Sequence, residues 1–141
     1  MARVFVDSGV LVAAARGEPQ LREAARRLLT DAHHRFLTSP FVYLETAPKA
    51  RFHGRALELA SYEVFFKYAE WFRDAAQMLE LGTELAERRG VGPMDALHLA
   101  AAHLVEADVL VTVEKPGKSI YRMQTIPVVY LLDAPWPNSA G

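Results

Sequence analysis

Cysteine is absent from the 141 residues, which excludes disulfides and thiolate metal sites and leaves nothing that points to an oxidising compartment. Long hydrophobic runs are missing too. Between Arg3 and Asp7 stand only Val4, Phe5 and Val6, too few for the apolar stretch of a signal peptide. Nothing approaches the ~20 apolar residues that would span a bilayer, so no membrane partner is expected and the cytoplasm is the default location. Charge of one sign is not in excess either: 16 basic residues face 17 acidic ones, a formal net charge of −1. The chain as a whole is therefore no general polyanion coat, although that balance leaves room for local basic patches. Internal repeats, low-complexity tracts and linkers are also lacking. What is present, 51% hydrophobic and 23% charged residues, is the balance of one ordinary globular domain.

Val4-Phe5-Val6 has the composition of a strand buried on both faces. Asp7-Ser8 supplies cap residues for a short helix over 9–15, stopping near Gly17. Pro19 opens a second helix, 35–38 reads as a strand, and Ser39-Pro40 starts a third helix that Pro48 is expected to kink or end. Residues 54–89 read as two helices broken near Arg73-Asp74. After the interruption at 90–93, a helix runs from Pro93 to about Ala107. Strands follow at 109–111 and 126–132, separated by a loop at 115–118. Strands alternating with helices predict an α/β fold, a single three-layer domain over 1–132 with a central parallel sheet flanked by helices, and a loose tail at 133–141.

Four acids fall at informative places in that scheme. Asp7 ends the first strand, Asp95 lies in the first turn of the helix opened by Pro93, Glu114 follows the strand at 109–111, and Glu45 lies about one and a half turns into the third helix. Open parallel sheets place ligand sites beyond the carboxyl ends of their strands. A hard dication such as Mg²⁺ or Mn²⁺ takes oxygen ligands of this kind. Each acid also has an ordinary explanation: a helix cap for Asp7, a first-turn acid for Asp95, solvated surface charge for Glu45 and Glu114. Periodicity does not choose between the two.

The motifs do. Val4-Phe5-Val6-Asp7-Ser8-Gly9-Val10-Leu11 resembles the opening of PIN domains, and Leu44-Glu45-Thr46 resembles their second acidic position. Met94-Asp95-Ala96-Leu97-His98-Leu99-Ala100-Ala101-Ala102 is similar to their third block, and 107–114, ending Val111-Thr112-Val113-Glu114, to their fourth. The blocks occur in order across most of 4–131, and the size is nearest to VapC-type toxins of bacterial toxin–antitoxin pairs. The resemblance implies a metal-dependent endoribonuclease in which Asp7, Asp95 and Glu114 hold Mg²⁺ or Mn²⁺. Glu45 would bind the metal directly or through water, or orient the nucleophile. Ser8 and Thr112 match small polar positions that support the carboxylates. It also implies an RNA substrate and an antitoxin partner covering the site. The chain departs from the pattern at Glu114, where Asp or Asn is usual, and in the Lys115-Pro116-Gly117-Lys118 continuation. The alternative is a non-catalytic PIN-fold scaffold for protein or RNA, whose mark would be lost acids. A haloacid-dehalogenase-type phosphohydrolase would need a second Asp at position 9, which is Gly.

Other features carry two readings each. His98 is three residues after Asp95 but lies in an apolar stretch, so it is read as interior, with metal ligation as the alternative. His33 and His34 are read as surface residues. Tyr62, Phe65, Phe66, Ala69 and Phe72 form a helical stripe assigned to the core, while Tyr68 and Trp71 exceed what one buried face needs and are assigned to a homodimer or partner surface. Charge clusters usually mark solvated faces. Those containing Lys49 and Arg51, and Lys115 and Lys118, follow the candidate acids and are the candidate phosphate contacts.

Overall fold

In a computed structural model, residues 1–122 and 125–133 are described. The expected tail, from residue 134 onward, lies outside them. The elements are β1 (Ala2–Val6), α1 (Ser8–Arg16), α2 (Pro19–Leu29), β2 (His34–Thr38), α3 (Pro40–Phe52), α4 (Ala56–Tyr68), β3 (Glu70–Trp71), α5 (Ala75–Arg89), α6 (Pro93–Leu104), β4 (Val109–Thr112) and β5 (Val128–Tyr130), with a 3₁₀ turn at Ser119–Arg122 before β5. No described helix is long and apolar enough to cross a membrane.

All strand pairings are parallel, in the order β3-β2-β1-β4-β5. The chain moves outward from β1 through β2 to β3, then crosses back to place β4 on the other side of β1. The direction of winding reverses between β1 and β4, which is where open α/β sheets leave a crevice for a ligand. Val6 pairs with Val111, so the two central strands end in step and deliver Asp7 and Thr112 side by side. Val4, Phe5, Val6, Val109, Leu110 and Val111 are buried, as expected of central parallel strands covered on both faces.

Local chemistry starts the helices. Asp7 caps α1 by accepting from its own neighbour Ser8 N, and Ser39 Oγ accepts from Phe41 N at 3.2 Å where Pro40 opens α3. Pro19 and Pro93 take the same first-turn role in α2 and α6. Gly9 is required by proximity: a Cβ there would stand 2.5 Å from Val113 Cγ2, so only glycine lets α1 start against the residue that follows β4.

The structure corrects several expectations. α3 runs through Pro48 to Phe52; the proline is exposed, and the missing N–H falls on a solvent-facing turn. The break inside 54–89 is present, but it holds β3, a two-residue strand in register with Leu37 and Thr38. Phe72 therefore leaves the helical stripe, and its N–H bonds Thr38 O at 3.0 Å. Trp71 is not a free outer face: it is half-buried, donates to Phe66 O at 2.8 Å and packs on Tyr43 and Phe66, whereas Tyr68 is 70% exposed. His33 is a surface residue, but the His34 side chain is covered and meets Phe36 edge-on. α6 ends at Leu104, three residues early, and β5 keeps only the middle of its expected span.

Candidate functional site

The crevice between β1 and β4 gathers acidic side chains from four elements. Asp7, buried at the end of β1, is held on both oxygens: Oδ1 accepts from Ser8 N and Oδ2 from Thr112 Oγ1, each at 2.9 Å. Thr112 Oγ1 in turn accepts from Glu114 N at 3.1 Å, so hydroxyl and amide form a chain that ties the loop after β4 to the acid after β1. Glu45 reaches in from α3. Its Oε1 accepts from Ser8 Oγ at 2.9 Å and lies 2.5 Å from His98 Nε2 of α6. His98 Nε2 is also 3.8 Å from Asp7 Oδ1.

Asp95 completes the group from the first turn of α6. Burial pushes its carboxyl above the ordinary Asp value, and the charge of Asp7 pushes it further; His98 opposes, while Glu114 and Glu45 add smaller contributions. The charges of Asp7, Glu114 and Glu45 thus all reach Asp95 through space. The Glu45 carboxyl is held below its usual range, first by the hydrogen bond from His98 and against the opposing effect of burial. For His98, burial favours the neutral ring, but the Glu45 bond and the charges of Asp7, Glu45 and Asp95 outweigh it and raise its proton affinity.

Hydrogen bonds join Asp7 to Thr112 and to the Ser8 amide, and Ser8 to Glu45, while Asp95 lies near enough to feel the charges of Asp7, Glu114 and Glu45. Glu114 is joined through its backbone: its N–H is used as above, its carbonyl accepts from Tyr121 OH, and the residue is exposed. Among the basic residues, Arg51 pairs with Glu63 at 2.9 Å, while Lys49, Lys115 and Lys118 are exposed. His98 is the residue whose involvement the sequence understated. It is interior as read, 1% exposed, yet it faces the acids. The signal available was its spacing of three from Asp95; what it meets, Glu45, is 53 positions away in the chain. A mostly apolar groove of about 550 Å³ between α1, α2 and α4 contains none of the four acids.

The donor set is one of hard oxygens, the chemistry that suits Mg²⁺ or Mn²⁺, and the crowding felt by Asp95 is what a cation would relieve. Among the described residues no three His, Asp or Glu side chains already converge as a ligand group. The carboxylates of Asp7 and Glu45 are each occupied by hydrogen bonds to other groups.

A family profile described as PIN domain matches residues 4–116. No curated protein sequence matches. Solved structures show the same fold. DNA-bound VapBC from Salmonella typhimurium is similar over 93% of this chain and 99% of its own, at TM-score 0.68 and 19% identity. VapBC2 from Rickettsia felis, bound to a promoter DNA fragment, gives 91% and 98%, 0.67 and 17%. VapC20 from Mycobacterium tuberculosis, a sarcin–ricin loop cleaving toxin, gives 82% and 92%, 0.64 and 20%. With the profile covering most of the chain and the fold agreeing across it, the chain belongs to the PIN-domain family.

Proposed function

We propose that this protein is a Mg²⁺- or Mn²⁺-dependent endoribonuclease, acting in the cytoplasm as the toxin of a toxin–antitoxin pair. The observation that carries the reading is that Asp7, Glu45 and Asp95, from β1, α3 and α6, lie close enough at the sheet's switch point for the charges of Asp7 and Glu45 to raise the proton affinity of Asp95. Asp7, Asp95 and Glu114 are the residues to hold the ion, and Glu45 holds it, reaches it through water or orients the attacking water. The ion, when bound, neutralises charge on a phosphodiester and lowers the pKa of a water. The chain's own share is positional. Ser8 N and Thr112 Oγ1 fix both oxygens of Asp7, and the exposed Lys49, Lys115 and Lys118, which follow Glu45 and Glu114 in the chain, are the candidates to meet RNA phosphates. Arg51, paired with Glu63, would have to exchange partners to reach a phosphate.

The partner is an antitoxin segment, and the exposed Leu57, Val64 and Tyr68 of α4 offer it apolar contacts. A homodimer is proposed on the same ground, unburied apolar side chains such as Leu44 and Phe52 of α3. A non-catalytic scaffold draws some support from the ligands not converging, but a scaffold has no reason to keep three acids whose charges raise the proton affinity of a fourth.

The deciding assay is cleavage of RNA by purified protein with Mn²⁺ or Mg²⁺ against EDTA, with Asp7→Asn as control. Cleavage that needs the metal and disappears in the variant is expected; none under any condition leaves the scaffold. If cleavage occurs but expression harms no host and no partner co-purifies, the toxin assignment fails and the nuclease stands.

A further inference from the structure

We infer that His98 is the positioning residue for Glu45: its Nε2–H and the Ser8 hydroxyl hold one carboxylate oxygen, Oε1, so that Glu45 is fixed beside Asp7 and offers the site only its other oxygen. The inference rests on Glu45 belonging to the site proposed above. Glu45 stands on an α3 face with 32% of its side chain exposed, where a long acid gains rotamer freedom and escapes the Asp7 charge by turning to water. Holding it inward takes donors, and two arrive at the same oxygen from different elements, Ser8 from α1 at 2.9 Å and His98 from α6 at 2.5 Å.

His98 cannot swing away. It is 1% exposed on a helix buried on most sides, with its ring centroid 6.4 Å from that of Phe5 in β1. Because an ionised carboxylate only accepts, the nitrogen facing Glu45 carries the proton whether the ring is neutral or charged. Asp7 Oδ1, at 3.8 Å, is too far to take that hydrogen bond. The other ring nitrogen, Nδ1, is buried with no hydrogen-bond partner among the described residues. A histidine serving packing alone would satisfy both nitrogens or yield to an apolar residue. Here one nitrogen is left unpaired and the other is committed to an acid of the site.

The test uses the full chain, with His98→Gln, whose amide nitrogen reaches about as far as Nε2, and His98→Leu, which fills the space without a donor. In metal-free protein, imidazole ¹⁵N spectra are expected to show His98 protonated at Nε2, with a slowly exchanging proton whose resonance moves on Glu45→Ala. In the absence of RNA, His98→Leu is expected to weaken Mn²⁺ binding about 10–100-fold, as loss of a group that orients a ligand does, and His98→Gln to recover most of it. An unprotonated Nε2, or a resonance indifferent to Glu45→Ala, overturns the inference. So does a folded His98→Leu that binds Mn²⁺ as tightly as wild type or more tightly. If His98→Leu does not fold, Ser8→Ala removes the other half of the clamp and must weaken Mn²⁺ binding. Should wild type bind no Mn²⁺, the metal reading fails and the ¹⁵N result alone decides the clamp. Should Mn²⁺ affinity follow the clamp while no variant or wild type cleaves RNA, the nuclease reading fails and the clamp stands.

Discussion

Asp95 is the acid with most to gain from a cation or from losing its charge. Its folded proton affinity is raised by burial first and by Asp7 second. A carboxyl raised in the folded state supports stability below its unfolded pKa and loses that support as pH rises through the folded value, so at neutral pH the ionised group costs the fold. Asp95→Asn is therefore expected to raise the metal-free melting temperature, by about 3–5 °C for each ~1 kcal/mol relieved in a domain of this size. Calorimetry showing an unchanged or lower melting point would mean the carboxylates do not crowd one another. In cleavage assays the acids should rank differently. Asp7 is held on both oxygens at the end of a central strand, and Asp95 sits in the first turn of α6, so Asp7→Asn and Asp95→Asn should abolish activity. Glu114 is exposed on the loop after β4, and Glu114→Gln should retain measurable activity, down roughly 10–100-fold as for an orienting group. Glu114→Asp should be neutral or better. If Glu114→Gln is as inactive as Asp95→Asn in saturating Mn²⁺, Glu114 is a direct ligand and this ranking is wrong. These acids were legible as a set because four motif blocks resembling PIN domains carry them in order, whereas strand ends and helix starts alone fitted ordinary caps equally well. The partners of Glu45 were not, because they depend on α1 and α6 meeting α3, a contact no local pattern encodes.

At the level of elements, α6 carries Asp95 and His98 near its start and is fastened at its far end by β1. Arg3 donates from Nε to Glu106 O at 3.1 Å and from one terminal nitrogen to Val105 O at 2.6 Å, while also pairing with Glu70 at 2.8 Å. Carbonyls left unpaired at a helix end are thus used as a tether to the sheet. The turn that exposes them puts Glu106 at φ +60°, a left-handed conformation that glycine adopts without the Cβ penalty. Glu106→Gly is expected to stabilise the fold by about 0.5–1 kcal/mol, read from the urea midpoint; destabilisation would mean the Glu106 side chain contributes more than its backbone strain removes. Elements whose signals are local were legible: the buried runs of β1 and β4, the Ser39-Pro40 start of α3, the Pro93 start of α6. β3 was not, since two residues show no period and exist as a strand only through pairing with Leu37 and Thr38. The helix end expected as one outcome at Pro48 is absent for a related reason, because whether a proline ends a helix depends on whether the lost N–H faces solvent, and here the residue is exposed.

Across the whole molecule a net charge of −1 hides an uneven distribution, with the charges of Asp7, Glu45 and Glu114 all felt by Asp95 near where the sheet reverses its winding. A cation bound there should stabilise the entire cooperative unit, since β1, β4, α1, α3 and α6 all contribute to the rim. Mn²⁺ at 100 times its dissociation constant adds about 2.7 kcal/mol to unfolding if it binds only the folded chain. That gain must depend on pH. Asp95, with its raised proton affinity, has to lose its proton before it can accept a cation, and His98, whose proton affinity is also raised, adds positive charge beside Glu45 as pH falls. Both act in the same direction. The melting-temperature increase produced by millimolar Mn²⁺ should be largest above neutrality and shrink steadily into the acid range, and Asp95→Asn should leave a smaller increase at every pH. Scans of wild type and Asp95→Asn at matched ionic strength, with and without Mn²⁺, test this, since salt alone screens surface charge without regard to which acid is missing. An increase that is flat across pH, or equal in the two proteins, would show that the ion binds away from the β1–β4 crevice.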